Sequence, residues 1–101
     1  MKAPTPKLRA ALASAIKAVR KRRQLTQEEF GLVSSRTYLS TLERGLKSPT
    51  VDKLVEISEV MTVHPGSLVL LACALAAGED CEAAIDAIAT EAKALLPERL
   101  P

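Results

Sequence analysis

The stretch Leu25-Thr26-Gln27-Glu28-Glu29-Phe30, followed by Ser35-Arg36-Thr37-Tyr38-Leu39-Ser40-Thr41-Leu42-Glu43-Arg44-Gly45, leaves this chain few ways to fold. It predicts two short helices joined by a tight corner. Thr26 is placed to cap the first, with Glu29 three residues on completing a capping box. Ser35 is placed to cap the second, and Gly45 supplies the left-handed residue that ends it. Leu39 and Leu42, three apart, share the inward face of that second helix. Arg36, Thr37, Ser40, Thr41 and Arg44 are left outside, a donor-rich ridge about the width of a DNA major groove. The pattern is that of a helix-turn-helix that reads DNA.

In these residues the chain resembles the Cro- and lambda-repressor-like (Xre) helix-turn-helix family. The likeness spans roughly residues 8 to 72. It rests on Leu-Thr-Gln-Glu-Glu-Phe, Arg-Thr-Tyr-Leu-Ser, Leu-Glu-Arg-Gly and Lys47-Ser48-Pro49-Thr50, in that order. Each is a weak signal alone; four in register are strong. The chain departs from the family pattern between Gln27 and Ser35, where it is about two residues shorter and lacks the usual turn glycine. Leu32-Val33-Ser34 must make the corner, which predicts a clipped or bent helix two.

Charge is divided in keeping with this. Residues 1–50 carry eleven Lys/Arg against three Glu, a balance of +8, while residues 51–101 carry three against nine Asp/Glu, a balance of −6. One half suits phosphates and the other is kept from them. A solvated helix face accounts for Lys21-Arg22-Arg23 alone, but not for the placing of the charge beside the motif.

Along the chain the pattern is helical throughout. Leu8, Leu12, Ile16 and Val19 mark helix one, to about Arg23. Helix two is expected at 26–33 and helix three at 35–44. Thr50 is placed to cap helix four, whose apolar face is Leu54, Ile57, Val60 and Met61. Pro65 suits the first turn of helix five, Gly78 its end, and Asp80 the cap of helix six, which runs to about Leu96. The expected fold is all-α: a lambda-repressor-like five-helix DNA-binding domain with an additional C-terminal helix. Residues 1–7 form an N-terminal arm, 8–77 the DNA-binding domain with its helix-turn-helix at 26–44, and 78–101 a C-terminal dimerisation element.

Helix five, with Leu68 to Ala76 apolar all round, needs cover on several sides. Helix six, with Ala84, Ile85, Ile88, Ala92 and Leu95 in one stripe, and a second subunit supply it most economically. A homodimer through Leu68, Leu71, Leu75, Ile85, Ile88 and Leu95 is therefore expected; the alternative is a monomer in which helix six alone caps the core.

Cys73 and Cys81 fit no zinc spacing, and His64 lies away from both, so no metal or other cofactor is expected. Cys73 is expected to be buried and Cys81 more exposed. No leader peptide is legible, and the motif implies a reducing cytoplasm, against a disulfide. The longest strongly apolar run, Leu68 to Ala77, is too short to cross a membrane. No nucleophile–base pair or phosphate-cradling glycine loop suggests an enzyme.

The resemblance implies roles residue by residue. Arg36, Thr37 and Thr41 would touch base edges, Arg36 with a guanidinium fork that matches guanine. Gln27, Tyr38, Ser40, Arg44 and Lys47 would touch phosphates and fix register. Arg20 and Glu43 would form a buried structural ion pair. The function implied is a cytoplasmic, dimeric, sequence-specific regulator of bacterial or phage type. It would act as a repressor on palindromic double-stranded DNA, with contact to RNA polymerase open. The rival is a protein-interaction module, such as an antitoxin, holding a partner protein through helices 65–96.

Overall fold

The computed structural model describes residues 5–78 and 80–98, the side chains of Thr5 and Pro6 apart. Most of the expected 1–7 arm lies outside them. Five α-helices and one 3-10 turn follow one another: α1 Thr5–Arg22, the turn Gln27–Phe30, α2 Arg36–Glu43, α3 Val51–Met61, α4 Pro65–Ala77 and α5 Cys81–Leu95. The expected helix two is thus a single 3-10 turn, shorter than 26–33. Its bonds run from Glu29 N–H to Thr26 O (3.3 Å) and from Gly31 N–H to Glu28 O (3.0 Å), an i to i+3 pattern. The capping box does not form. Thr26 Oγ1 accepts no backbone N–H; its hydroxyl donates to Glu29 Oε1 at 3.4 Å instead.

The remaining caps fall where the side chains allow. Ser35 Oγ accepts from Tyr38 N–H, Thr50 Oγ1 from Lys53 N–H and Asp80 Oδ1 from Ala83 N–H. His64 caps α4, its Nδ1 accepting from Gly66 N–H at 2.9 Å, with Pro65 in the first turn. Gly45, at φ +73°, closes α2, where any side chain would strain the backbone.

The core gathers Ile16 of α1, Phe30 of the 3-10 turn, Leu39 and Leu42 of α2, Leu54, Ile57 and Met61 of α3, and Leu68 of α4. Phe30, wholly buried, anchors the clipped second element. An alanine-lined seam of Ala11, Ala15 and Ala72 lets α1 and α4 approach closely. The apolar α4 packs most extensively on α1, then on α5 and α3. It leaves α3 at an angle of 102°. Leu68 is therefore fully enclosed within one chain and has no surface to give a second subunit, a correction to its place in the expected interface. Cys73 is half-buried rather than buried, as is Cys81, whose thiol donates to Ala74 O. No residue of α5 is buried. Among the described residues, no single helix is long and apolar enough to cross a membrane.

Candidate nucleic-acid interface

The outer face of α2 begins at an N-terminus whose free amide groups point into solvent. Only the Tyr38 N–H is taken, by Ser35. Arg36 and Thr37 are exposed there, and Ser40 and Thr41 are half-buried one turn later. Leu39 and Leu42, fully buried, fix the rotation of the helix about its axis. The Thr41 hydroxyl donates to Thr37 O at 2.7 Å, so its proton is spent on the helix. What it can offer a base edge is its methyl group and an oxygen lone pair. Arg44 and Lys47 are exposed beyond the helix end, and the Lys47 ammonium stands 5.9 Å from the centre of the Tyr38 ring.

Beneath this face lies a bidentate ion pair. Arg20 Nε meets Glu43 Oε2 at 2.6 Å, and Arg20 Nη2 meets Glu43 Oε1 at 2.9 Å. Arg20 Nη1 donates to Leu25 O at 2.8 Å, and Gln27 Nε2 donates to Glu43 Oε1 at 3.1 Å. Both ion-pair side chains are nearly closed to solvent, 11% and 3% exposed. The hydrogen bond that Arg20 donates to Glu43 raises the Arg20 pKa above its ordinary value against the opposing effect of burial, so Arg20 is always charged. This cluster ties α1, the 3-10 turn and α2 into one support. It also occupies one amide hydrogen of Gln27.

Two residues here carried no sequence signal. Lys53, in the first turn of α3, donates to Val33 O in the shortened corner, pairs with Glu56 at 3.5 Å and lies 5.9 Å from the centre of the Tyr38 ring. It satisfies the Val33 carbonyl in the corner. Glu28 reaches across to Arg36, Oε1 to Nη1 at 3.3 Å. Neither the Lys53–Val33 contact nor the Glu28–Arg36 pair has a spacing rule in the sequence, because each joins different elements across the corner. Arg23 of the basic run is also structural, its Nε donating to Met61 O at 3.0 Å.

A helix-turn-helix family profile matches residues 16–68, just over half of the chain. Comparison with curated proteins and with solved structures gives no match. The matched span begins in α1 and ends in α4, so it holds the core, the Arg20–Glu43 support and the whole exposed face of α2.

Proposed function

The chain belongs to the Cro- and lambda-repressor-like (Xre) helix-turn-helix family, whose members are DNA-binding regulators, and from that premise we propose a dimeric repressor acting on a palindromic operator. In this reading α2 lies in the major groove. Arg36 forks onto guanine, while Thr37 and Thr41 touch neighbouring base edges. Tyr38, Ser40, Arg44, Lys47, the remaining Gln27 donor and Lys53 hold the flanking phosphates. The observation that carries the reading is the solvent-open α2 N-terminus, rich in donors, on a support locked by a buried ion pair. Repression is steric: a dimer over promoter DNA, in a bacterial cytoplasm or on a phage genome, blocks polymerase.

The second subunit is assigned to the α4–α5 side. Leu75 and Leu95 are exposed there, as are Val69 and Leu96, while Leu71, Ile85 and Ile88 are half-buried. Two such subunits would read half-sites about one helical turn, ~34 Å, apart. A second reading is favoured by one observation. Val69, Leu70, Cys73, Ile88, Ala89 and Ala92 line an apolar cleft of ≈ 290 Å³ between α4 and α5, which a partner protein would fill if a second copy does not.

Selection of sites from random duplexes at about physiological salt, with wild type beside Arg36→Ala, tests the proposal. The expected result is a palindrome for wild type and its relaxation at one symmetric pair of positions for the variant. Weak binding that selects no motif and fades with salt, as phosphate contact alone does, would overturn it. A homodimer in sedimentation that covers the cleft would remove the support for the partner reading.

A further inference from the structure

Glu28 and Arg36 stand together at the mouth of the groove-facing surface, one from the 3-10 turn and one from the first position of α2. Arg36 Nη1 donates to Glu28 Oε1 at 3.3 Å, and the two side chains are 71% and 73% exposed. An ion pair this solvated does little for the stability of a fold. A carboxylate beside the DNA-reading helix is repelled by phosphates. Neither stability nor general DNA affinity explains its place.

We infer that Glu28 and Arg36 act as one unit reading a single G·C base pair, Arg36 on the guanine and Glu28 on the paired cytosine. The inference rests on the assignment of α2 to the major groove. A guanidinium has five N–H donors in one plane. Nη1 carries two hydrogens and gives one to Glu28; with the one turned away from Nη2 in that bond, the Nη1/Nη2 edge is free to fork onto guanine O6 and N7. With Nη1 on O6, the Glu28 oxygen lies on the side away from Nη2, and that is the side of the cytosine. The cytosine N4 amino group sits about 2.9 Å from O6, the length of an N–H···O bond. Its second N–H faces the major groove as a donor.

The 3.3 Å spacing between Nη1 and Oε1 thus sets donor against acceptor, and acceptor against donor, across one base pair. At an A·T pair both polarities reverse: the adenine amino group meets the guanidinium and thymine O4 meets the carboxylate. Glu28 therefore recognises one pair and rejects another. Arg36 offsets the repulsion between the carboxylate and the phosphates.

The test is site selection, followed by binding titrations on the selected duplex and its single-pair variants, with wild type, Glu28→Ala, Arg36→Ala and the double variant. Wild type is expected to fix a G·C pair at one symmetric position. Each single substitution should lower the preference for that pair about tenfold, the scale of one well-placed base contact. The double variant should discriminate no worse than Arg36→Ala alone, as residues acting together do. Unchanged thermal melting would show that all four proteins are folded. The inference is overturned if Glu28→Ala keeps the preference that Arg36→Ala loses. It is equally overturned if Glu28→Ala tightens binding to every duplex alike, which would make Glu28 a repulsive brake. If wild type selects no motif at all, the groove assignment itself falls, before any variant is compared.

Discussion

Removal of the Glu43 carboxylate should be among the most damaging single changes to this fold. Glu43 accepts three hydrogen bonds, two from Arg20 and one from Gln27, with its side chain 3% exposed. In Glu43→Ala the guanidinium stays charged and enclosed, with Leu25 O as its remaining partner. Breaking a buried pair from one side costs about 3–5 kcal/mol, because the surviving charge is left uncompensated. A domain of this size has roughly 5–15 kcal/mol in total. At about 4–8 °C of melting temperature per kcal/mol, the midpoint should fall by roughly 12–40 °C. Far-UV circular dichroism, followed through thermal and urea unfolding, reads this directly.

A companion variant separates charge from packing. Arg20→Met with Glu43→Leu replaces the pair by apolar groups of similar size, and such exchanges are often neutral or stabilising. The double variant should lie within about 1–2 kcal/mol of wild type and well above Glu43→Ala. The reasoning fails if Glu43→Ala loses less than about 1 kcal/mol, or if the double variant is as unstable as the single one. Either result would mean that solvent, not Glu43, satisfies Arg20.

Three further outcomes are expected. Lys47→Ala should weaken DNA binding similarly for all sequences and reduce the slope of log affinity against log salt by about 1, the mark of one phosphate contact; an unchanged slope would take Lys47 off the DNA. Gly45→Ala should destabilise by about 1–2 kcal/mol in urea unfolding. The added carbon meets only ordinary contacts at 3.7 and 3.8 Å, so the cost lies in the +73° backbone, and a neutral result would refute that cause. Leu75→Glu with Leu95→Glu should shift sedimentation from dimer to monomer with little change in melting of the monomer; a dimer that survives both places the interface elsewhere.

Much of the fold was legible because its signals are local. Ser35, Thr50 and Asp80 stand at cap positions, Gly45 and Gly78 at helix ends, and the inward pair Leu39 and Leu42 follows from helical spacing. What was not legible depends on contacts between elements. The apolar ring of α4 was taken to need a second subunit, yet Leu68 is enclosed in the core with Ile16, Phe30, Leu39, Leu42, Leu54, Ile57 and Met61 of its own chain. Periodicity says that a face is apolar, not which neighbour covers it. The partners of Gln27, Lys53 and Glu28 in neighbouring elements were missed for the same reason. Each is set by how far one element stands from the next, and the corner at 31–34 sets that distance.

That corner follows a 3-10 turn, Gln27–Phe30, where an α-helix was expected. Two residues fewer of α-helix would shorten the path by about 3 Å, at 1.5 Å per residue. A 3-10 helix rises about 2.0 Å per residue, so four residues wound more tightly recover about 2 Å. Phe30 can then still reach the core, where it is fully buried. Across the corner Lys53 donates to Val33 O, and Glu28 meets Arg36 at 3.3 Å. The segment thus holds the buried Phe30 anchor on its inner side and the Glu28–Arg36 and Lys53–Val33 contacts on its outer side. If Lys53→Met lowered stability without altering the selected operator, Lys53 would be a structural plug alone. If it also shifted the bases read by Arg36, the corner would be part of the reading surface.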